Sequence, residues 1–321
     1  MIRRLGVLTS GGDAPGMNAA IRAVTRSSLY RGLDVIGIRR GYEGLIEGDI
    51  IPMTKSSVGG ILLHGGTILR TARSKAFLRP EGINAAITTL KENDIDALVI
   101  IGGDGSFRGA KVLHERGIAV VGIPGTIDND MAGTDRTIGF DTACNTALSC
   151  IDKLRDTASS HDRTFIVEVM GRHAGYLALE TGVACGAEHV LVPEIAVDIE
   201  KVVKKLDYSR VRGKTHSIIV LAEGVMSALE LTEKIRDASP GFDARIVVLG
   251  HLQRGGSPSC FDSVLASRLG AAAVDVLAEG QLGMMVGCVN GNIAASPLET
   301  AWLEKSSLDP EMLKLVDSLS I

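Results

Sequence analysis

Three short apolar runs each end in a glycine-containing turn, and this recurrence restricts the possible folds more than any other feature of the chain. The runs are Leu5 to Thr9, Ala97 to Ile101 and Ile118 to Ile123. Such runs predict strands buried on both faces, which occur in parallel sheets covered by helices. Because the carboxyl ends of parallel strands open on one sheet edge, we expect the three turns to lie together there.

Strand and helix patterns alternate along the rest of the chain, as expected of layered α/β domains. The further predicted strands cover residues 34–38, 164–169, 189–192, 216–222, 245–249 and 285–289. The further predicted helices cover residues 141–158, 200–212, 227–237, 259–279 and 308–319. A length of 321 residues predicts about two domains. We therefore predict two doubly wound α/β layers.

Composition argues against several classes of protein. Hydrophobic residues make up 45% of the chain and charged residues 22%, which is typical of a soluble globular protein. Aromatic residues are only 3%, which leaves few rings for stacking on nucleic-acid bases. The net charge of −4 argues against a partner such as nucleic acid or a membrane surface.

Cysteine usage and hydropathy predict a cytoplasmic location. The five cysteines are scattered and lack Cys-x-x-Cys spacing, so reduced thiols are the simplest interpretation. No apolar run in the sequence approaches the ~18 residues that a membrane span requires. The first strand follows Arg3 and Arg4 directly, without the apolar segment of a secretory signal.

The turn after the first predicted strand has the chemistry of a phosphate site. Residues 10–18 read Ser-Gly-Gly-Asp-Ala-Pro-Gly-Met-Asn and lead into a helix that we predict to continue to about Arg31. Backbone N–H groups and the positive end of a helix dipole bind phosphate at such positions. The glycine spacing differs from the G-x-G-x-x-G dinucleotide fingerprint. A tight strand-to-helix turn that simply requires glycine is the alternative.

Acidic side chains follow the other two strands. Residues 102–106 read Gly-Gly-Asp-Gly-Ser and add Asp104 where Mg²⁺ would sit between phosphates. Residues 124–130 read Pro-Gly-Thr-Ile-Asp-Asn-Asp and place the carboxylates of Asp128 and Asp130 in one loop. Such a pair suits metal binding and proton removal, although Asp and Asn also form ordinary solvated turns.

Two further segments carry side chains suited to a nucleotide. Residues 41–44, Gly-Tyr-Glu-Gly, are predicted as a turn that could place Tyr42 beside a bound base. Residues 70–73, Arg-Thr-Ala-Arg, put two arginines on a loop where they could bind phosphate. Solvation at the surface is the commoner fate of such arginines.

Taken together, five motifs resemble the ATP-dependent 6-phosphofructokinase family in its short bacterial form. They are SGGDAPGMN at 10–18, GGDGS at 102–106, PGTIDND at 124–130, MGRHAG at 170–175 and R-x₄-GHLQRGG from Arg245 to Gly256. The resemblance covers essentially the whole chain. It implies two Rossmann-like doubly wound α/β domains with the active site in the cleft between them. It also implies transfer of the γ-phosphoryl group of MgATP to the 1-hydroxyl of fructose 6-phosphate.

Domain boundaries follow from the same resemblance. A larger ATP-binding domain is expected at 1–139 plus 252–304. A smaller domain that binds fructose 6-phosphate is expected at 140–251 plus 305–321.

Catalytic and nucleotide-binding roles also follow by resemblance. Asp128 is expected to be the general base that accepts the proton of the sugar hydroxyl, a role worth ~10²–10⁴ in rate. Thr126 and Arg172 are expected to stabilise the moving phosphoryl group. Asp104 and Asp130 are expected to hold Mg²⁺, directly or through water. The expected nucleotide contacts are Gly11, Tyr42, Arg73, Asp104, Gly105 and Ser106.

The sugar phosphate has its own expected contacts. The 6-phosphate is expected to bind Arg163, Arg245, His251 and Arg254, because the guanidinium fork suits a phosphate dianion. Glu223 resembles the residue that accepts hydrogen bonds from sugar hydroxyls. The remaining expected contacts are Thr126, Asp128, Asp130, Met170, Gly171 and Arg172. In the family, Arg163 and Arg245 reach in from a neighbouring subunit, so the resemblance implies a homo-oligomer, usually a tetramer.

An allosteric site for ADP or phosphoenolpyruvate is implied as well. Its expected residues are Arg22, Arg26, Lys55, Arg155, Gly186, Glu188, Arg212, Lys214 and His216. Lys55 stands where the well-known enteric member has Arg. Tyr176 follows His-Ala-Gly where many relatives have Asp, and Ser263 follows Asp262 where the family signature usually has Arg.

Three alternatives are open at this point. A pyrophosphate-dependent phosphofructokinase would share the fold, but its type carries Asp and Lys where this chain has Gly105 and Gly125. These glycines are interpreted as leaving room for adenosine and its α-phosphate. A non-catalytic sensor of sugar phosphate or nucleotide would not require the catalytic residues. An NAD-linked oxidoreductase is disfavoured by the missing fingerprint.

Overall fold

The computed structural model describes residues 2–161, 163–303 and 307–319. The chain divides into two compact units. The first comprises Met1–Ile127, Met131–Thr142 and Arg254–Ser306, and the second comprises Asp128–Asp130, Ala143–Gln253 and Ser307–Ile321. The domain boundaries expected from the resemblance stay a prediction, and the boundary at 304/305 lies outside the described residues.

The elements follow one another as the alternating patterns predict. The first half contains β1 (Arg4–Ser10), α1 (Met17–Tyr30), β2 (Asp34–Ile38), α2 (Gly41–Glu47), β3 (Ile50–Met53), a 3₁₀ turn (Ala76–Leu78), α3 (Pro80–Glu92), β4 (Ala97–Gly102), α4 (Asp104–Glu115), β5 (Ala119–Pro124) and α5 (Phe140–His161). The second half contains β6 (Thr164–Val169), α6 (Tyr176–Cys185), β7 (His189–Leu191), α7 (Ile199–Val211), β8 (Ser217–Ala222), α8 (Ala228–Ala238), β9 (Ala244–Val248), a 3₁₀ turn (Gly250–Arg254), α9 (Cys260–Ala278), β10 (Met284–Val289), β11 (Asn292–Pro297), α10 (Thr300–Leu303) and α11 (Pro310–Leu319).

The first unit is built on a sheet whose described strands run in the order β11-β10-β5-β4-β1-β2-β3. The central strands β1, β2, β4, β5 and β10 pair in parallel, and the edge strands β3 and β11 pair antiparallel to their neighbours. Strand β4 is buried along its whole length, as its continuous apolar run predicts.

Helices cover both faces of this sheet. On one face, Phe107 of α4 and Leu90 of α3 are fully buried in a core that includes Leu98 and Ile100 of β4. On the other, α1 lies so close to α9 that a side chain at Gly270 would overlap Ala23, so glycine is required there. The first unit therefore has the layered doubly wound arrangement that the sequence predicts.

The second unit is built on a parallel sheet with the strand order β7-β8-β6-β9 over the described residues. Its core includes Ile166 of β6, Ile219 and Leu221 of β8, and Leu231 and Ile235 of α8, all of them buried. The apolar side chains of β8 are buried along the whole strand. The sequence-based prediction of a second α/β layer is therefore confirmed.

Most predicted elements lie within one or two residues of the observed ones, whereas the helices α3 and α6 and the strands β3 and β11 were not predicted. Residues 41–44, predicted as a turn, form the first part of helix α2. Residues 70–73, predicted as a loop, lie between β3 and α3 and outside any helix or strand. The described residues contain no helix that is long and apolar enough to span a membrane.

Candidate active site

The three glycine turns lie along one edge of the larger sheet, as predicted. Ser10 at the end of β1 is in register with Gly102 at the end of β4. Gly102 is in turn in register with Pro124 at the end of β5. This alignment follows from the parallel pairing of three neighbouring strands, and it creates one continuous site edge within the first unit.

The first two turns pack directly on each other. The Ser106 hydroxyl donates a hydrogen bond to the Ser10 carbonyl oxygen at 3.0 Å. A Cβ atom at Gly102 would meet the Ser10 carbonyl oxygen and the Ser106 hydroxyl, both at 2.5 Å. Gly11 has a φ of 90°, in the left-handed region where glycine is favoured. Glycine therefore permits the close backbone packing of this edge.

The residues predicted to contact the nucleotide differ in their solvent exposure. A Cβ atom at Gly105 would meet no heavy atom within 4 Å, so this position adjoins open space. Arg73 is exposed. Asp104 is the first residue of α4, and its Oδ2 lies 3.6 Å from Nε of Arg108 in the same helix. Tyr42 is only 5% exposed, and its hydroxyl donates to the Ser106 carbonyl oxygen at 2.5 Å. Burial raises the pKa of the Tyr42 phenol.

Gly125 has a packing reason that the sequence did not indicate. A Cβ atom at Gly125 would lie 3.1 Å from Ile101 and 3.3 Å from the Met17 side chain. The Gly125 N–H also donates to the Gly102 carbonyl oxygen at 3.0 Å. The absence of a side chain at Gly125 thus serves the packing of the sheet edge, in addition to any room that it leaves for a ligand.

The loop after β5 buries a carboxylate against a guanidinium. The Asp128 side chain is 1% exposed, and its Oδ2 lies 3.3 Å from Nε of Arg172. Asn129, the next residue, has a φ of 52°, and Asn is one of the few residues that tolerate this left-handed conformation. Thr126 precedes the pair, and its carbonyl oxygen accepts a hydrogen bond from the Thr137 hydroxyl at 2.6 Å. The loop after β5 therefore holds a buried acid beside the Arg172 guanidinium, next to a left-handed backbone at Asn129.

Arg172 lies in a turn between β6 and α6 that we call the arginine turn, residues 170–175. Arg172 has a φ of 53° and Gly171 a φ of 136°, so the backbone adopts left-handed conformations at consecutive residues. The Arg172 N–H donates to Oε1 of Glu223 at 2.9 Å. The Met170 N–H donates to Oε1 of Gln253 at 2.9 Å. Arg172 thus contacts two of the expected site residues, Asp128 through its side chain and Glu223 through its backbone N–H.

The arginines expected at the 6-phosphate have different environments. Arg254 is 9% exposed, and its Nη1 donates to the Asp13 carbonyl oxygen at 2.9 Å, beside the first glycine turn. Arg245 is exposed and lies 3.5 Å from Asp243. His251 is exposed. Arg163 is half-buried at the start of β6.

Several residues of the expected effector site are neighbours within the second unit. Nζ of Lys214 lies 2.5 Å from Oε1 of Glu188, whose side chain is 1% exposed. Arg155 donates to the Cys185 carbonyl oxygen, next to Gly186, which has a φ of 63° at the end of α6. His216 is half-buried. Arg212 lies over the ring of Tyr208. The other expected members are in the first unit, where Arg22 and Arg26 lie one turn apart on α1 and Lys55 is exposed after β3.

Three positions that hold this architecture are missed by sequence reasoning. Gln253 and Glu194 accept hydrogen bonds from the arginine turn. Asp262 is fully buried, and it accepts hydrogen bonds from the Gly139 N–H at 2.9 Å and the Thr142 N–H at 2.8 Å. Burial raises the pKa of Asp262, while the hydrogen bond from the Thr142 hydroxyl opposes this change. Such contacts join residues far apart in sequence, so no local spacing reveals them.

The metal ligands expected from the resemblance are carboxylates that could share Mg²⁺ with a nucleotide. Among the described residues, no group of three or more His, Cys, Asp and Glu side chains forms a ready metal site. Mg²⁺ commonly binds through one or two carboxylates plus substrate phosphates and water. Asp104, at 39% side-chain exposure, fits this partial role.

Comparisons with known proteins agree on one family. Residues 4–277 match the family model described as Phosphofructokinase. The chain is 55% identical to the ATP-dependent 6-phosphofructokinase of Halalkalibacterium halodurans over 320 residues, covering 100% of both proteins. It is 54% identical over 320 residues to the protein of the same name from Bacillus cytotoxicus, again covering 100% of both.

Solved structures extend the similarity. The phosphofructokinase of Saccharomyces cerevisiae matches with a TM-score of 0.88 and 36% identity, covering 98% of this chain and 46% of the yeast chain. This chain therefore spans about half the length of the yeast protein. A pyrophosphate-dependent phosphofructokinase from Marinobacter aquaeolei matches with a TM-score of 0.85 and 23% identity, covering 99% of this chain and 91% of that one. At that identity, the likeness is one of fold.

Proposed function

The chain belongs to the phosphofructokinase family, and we propose that it is an ATP-dependent 6-phosphofructokinase of glycolysis. It transfers the γ-phosphoryl group of ATP to the 1-hydroxyl of fructose 6-phosphate, which yields fructose 1,6-bisphosphate and ADP. The observation that carries this proposal is the buried Asp128 carboxylate beside the Arg172 guanidinium, on the loop that follows β5. A sensor of nucleotide or sugar phosphate has no need of such a pair.

In the proposed reaction, the 1-hydroxyl oxygen of the sugar forms a bond to the γ-phosphorus as the bond to the oxygen of ADP breaks. Asp128 accepts the hydroxyl proton as general base. Arg172 and Thr126 donate hydrogen bonds to the equatorial oxygens of the transferring group, where negative charge must be stabilised. Because Arg172 is held beside Asp128, the acceptor of the proton and a donor to the phosphoryl group are positioned together.

Substrate binding is part of the same proposal. The nucleotide binds at the glycine edge through Gly11, Gly105 and Ser106, and the open space at Gly105 is consistent with a bulky nucleoside there. Tyr42 supports this edge from the core, because its hydroxyl binds the Ser106 carbonyl oxygen. Arg73 is available from an exposed loop.

The sugar phosphate binds through Glu223, Met170 and Gly171, while its 6-phosphate binds Arg163, Arg245, His251 and Arg254. Mg²⁺, when bound with ATP, neutralises phosphate oxygens, and Asp104 and Asp130 are the residues that would hold it.

Assembly and regulation are part of the same proposal. The exposure of Arg245 leaves it available to a neighbouring subunit, in accord with a homotetramer that shares its active sites. The paired Glu188 and Lys214 support an effector site for ADP or phosphoenolpyruvate. The five free cysteines, which lack Cys-x-x-Cys spacing, support a cytoplasmic enzyme.

A coupled assay with purified protein tests the function. ATP, Mg²⁺ and fructose 6-phosphate should support turnover that produces ADP and fructose 1,6-bisphosphate in equal amounts. Parallel reactions replace ATP with pyrophosphate. Turnover with pyrophosphate and none with ATP would identify the pyrophosphate-dependent reaction instead, and inactivity with both donors would favour a sensor.

A further inference from the structure

We propose that Glu194 is a positioning residue for phosphoryl transfer, because its carboxylate holds the arginine turn from which Arg172 reaches Asp128. This inference rests on the proposed function, since it concerns the geometry of a group assigned to the transferring phosphoryl. Glu194 lies between β7 and α7, and neither the motifs nor the resemblance indicated a role for it.

The first observation is the contact at the end of the arginine turn. The Gly175 N–H donates to Oε1 of Glu194 at 2.8 Å. Gly175 is the N-cap residue of α6, whose first turn contains no acidic residue. Helix N-termini favour a carboxylate because their free N–H groups and dipole are positive. Glu194 supplies that carboxylate from another element, whereas Tyr176 offers none from within the helix.

The second observation is the tightness of this packing. A Cβ atom at Gly175 would lie 2.6 Å from Oε2 of Glu194 and 2.5 Å from Cβ of Val192. The carboxylate therefore rests against the backbone of the arginine turn, with no space for a side chain between them. A movement of Glu194 must consequently change the support of Gly175.

The third observation is the strain of the turn itself. A non-glycine residue in the left-handed region costs on the order of 1–3 kcal/mol, and such a conformation persists only where its surroundings impose it. Arg172 has this conformation. Side chains accept hydrogen bonds from three backbone amides of the turn, namely Gln253 from Met170, Glu223 from Arg172 and Glu194 from Gly175. Glu223 is also assigned to the sugar, whereas Glu194 has only the supporting role.

The test compares Glu194→Ala and Glu194→Gln with the parent enzyme. In Glu194→Ala, kcat should fall by about tenfold to hundredfold, since a misplacement of ~1 Å can cost ~10²-fold. The KM for ATP should stay within about twofold, because the proposed nucleotide contacts belong to the first unit. Glu194→Gln keeps an amide oxygen for the Gly175 N–H and should recover kcat to within about threefold.

A double-variant experiment separates positioning from general destabilisation. If Glu194 acts through Arg172, then Glu194→Ala should lower kcat by less than about twofold in an Arg172→Lys background, because the two residues are coupled. Asp198→Ala is the matched control. Asp198 lies on the same connection, and its Oδ1 accepts the Lys201 N–H at 3.0 Å as the N-cap of α7. This control removes a cap but should leave kcat within about twofold.

Hydrogen exchange gives a readout that does not depend on activity. Amides of residues 170–176 should exchange faster in Glu194→Ala than in the parent. Their exchange rates in Asp198→Ala should equal those of the parent. Unchanged exchange, normal kcat in Glu194→Ala, or an equal loss of kcat in the Arg172→Lys background would each overturn the proposal. An inactive parent would instead reject the proposed function, and the exchange comparison would still decide whether Glu194 holds the turn.

Discussion

Replacement of Asp128 by Asn tests the assignment of the general base. The substitution keeps the size of the side chain and an oxygen near Nε of Arg172, but it removes the proton acceptor. Loss of a general base costs ~10²–10⁴ in rate, so kcat should fall by at least ~10²-fold. That range equals about 2.7–5.4 kcal/mol in activation free energy, at 1.36 kcal/mol for each tenfold change.

Binding and stability should change much less. The 6-phosphate is assigned to Arg163, Arg245 and Arg254, so the KM for fructose 6-phosphate should stay within about fivefold. Arg172 keeps 41% side-chain exposure and hence its hydration when its partner becomes neutral. The free energy of unfolding should therefore change by no more than about 1 kcal/mol.

The assay is steady-state release of ADP at saturating ATP and Mg²⁺, with urea unfolding of the same preparations. Asp135→Asn is the matched control, because Asp135 lies on the same connection and its Oδ2 accepts the Asn290 N–H at 2.6 Å. An amide oxygen can accept that bond, so the control should retain kcat within about twofold. A near-normal kcat for Asp128→Asn would refute the proposed mechanism and leave Asp128 as a turn residue.

Three other perturbations address the effector site, the buried His189 of β7 and the buried Asp262. Lys214→Glu should weaken the response to ADP or phosphoenolpyruvate while kcat at saturating substrate stays nearly unchanged, and identical effector curves would remove Lys214 from the site. Burial lowers the pKa of His189 to about 4, so below the unfolded value of about 6.5 the unfolded chain binds more protons and stability falls as pH falls. Urea unfolding should show that the parent loses about 1 kcal/mol more than His189→Gln between pH 7.5 and pH 5.5, and equal losses would contradict this. Asp262→Ala leaves the Gly139 and Thr142 N–H groups without their acceptor, so urea unfolding at pH 7 should show a loss of about 3 kcal/mol, and a loss below about 1 kcal/mol would contradict that role.

Local sequence patterns were sufficient to predict the layered architecture and the edge that carries the glycine turns. A short continuous apolar run between glycine turns is favoured where both faces are buried, as at the centre of a covered sheet, and β4 is buried along its whole length. Parallel pairing then brings Ser10, Gly102 and Pro124 to one edge, because aligned strands end together. The motif with Asp128 follows β5 and needed no further information to be placed in that loop.

Helix α2 was predicted as a turn because its pattern is too brief to be distinctive. Helix α2 has only seven residues, and its Gly-Tyr-Glu-Gly start is equally compatible with a turn. The packing of Phe77 on Tyr42, at 4.1 Å between ring centroids, makes Tyr42 a core residue. This ring packing cannot be read from the spacing of nearby residues, because Phe77 lies more than thirty positions from Tyr42.

The precise support of the proposed catalytic groups depends on tertiary structure alone. Glu194 and Gln253 are 19 and 83 positions from the amides that they bind, so no sequence period connects them to the arginine turn. Gly125 appears in the sequence as room for a ligand, whereas its immediate neighbours are Ile101 and Met17. Local chemistry specifies strands, turns and reactive residue types through short-range sterics and hydrophobic periodicity. The left-handed conformation of Arg172 opposes those local preferences, and only contacts from distant elements can hold it in place.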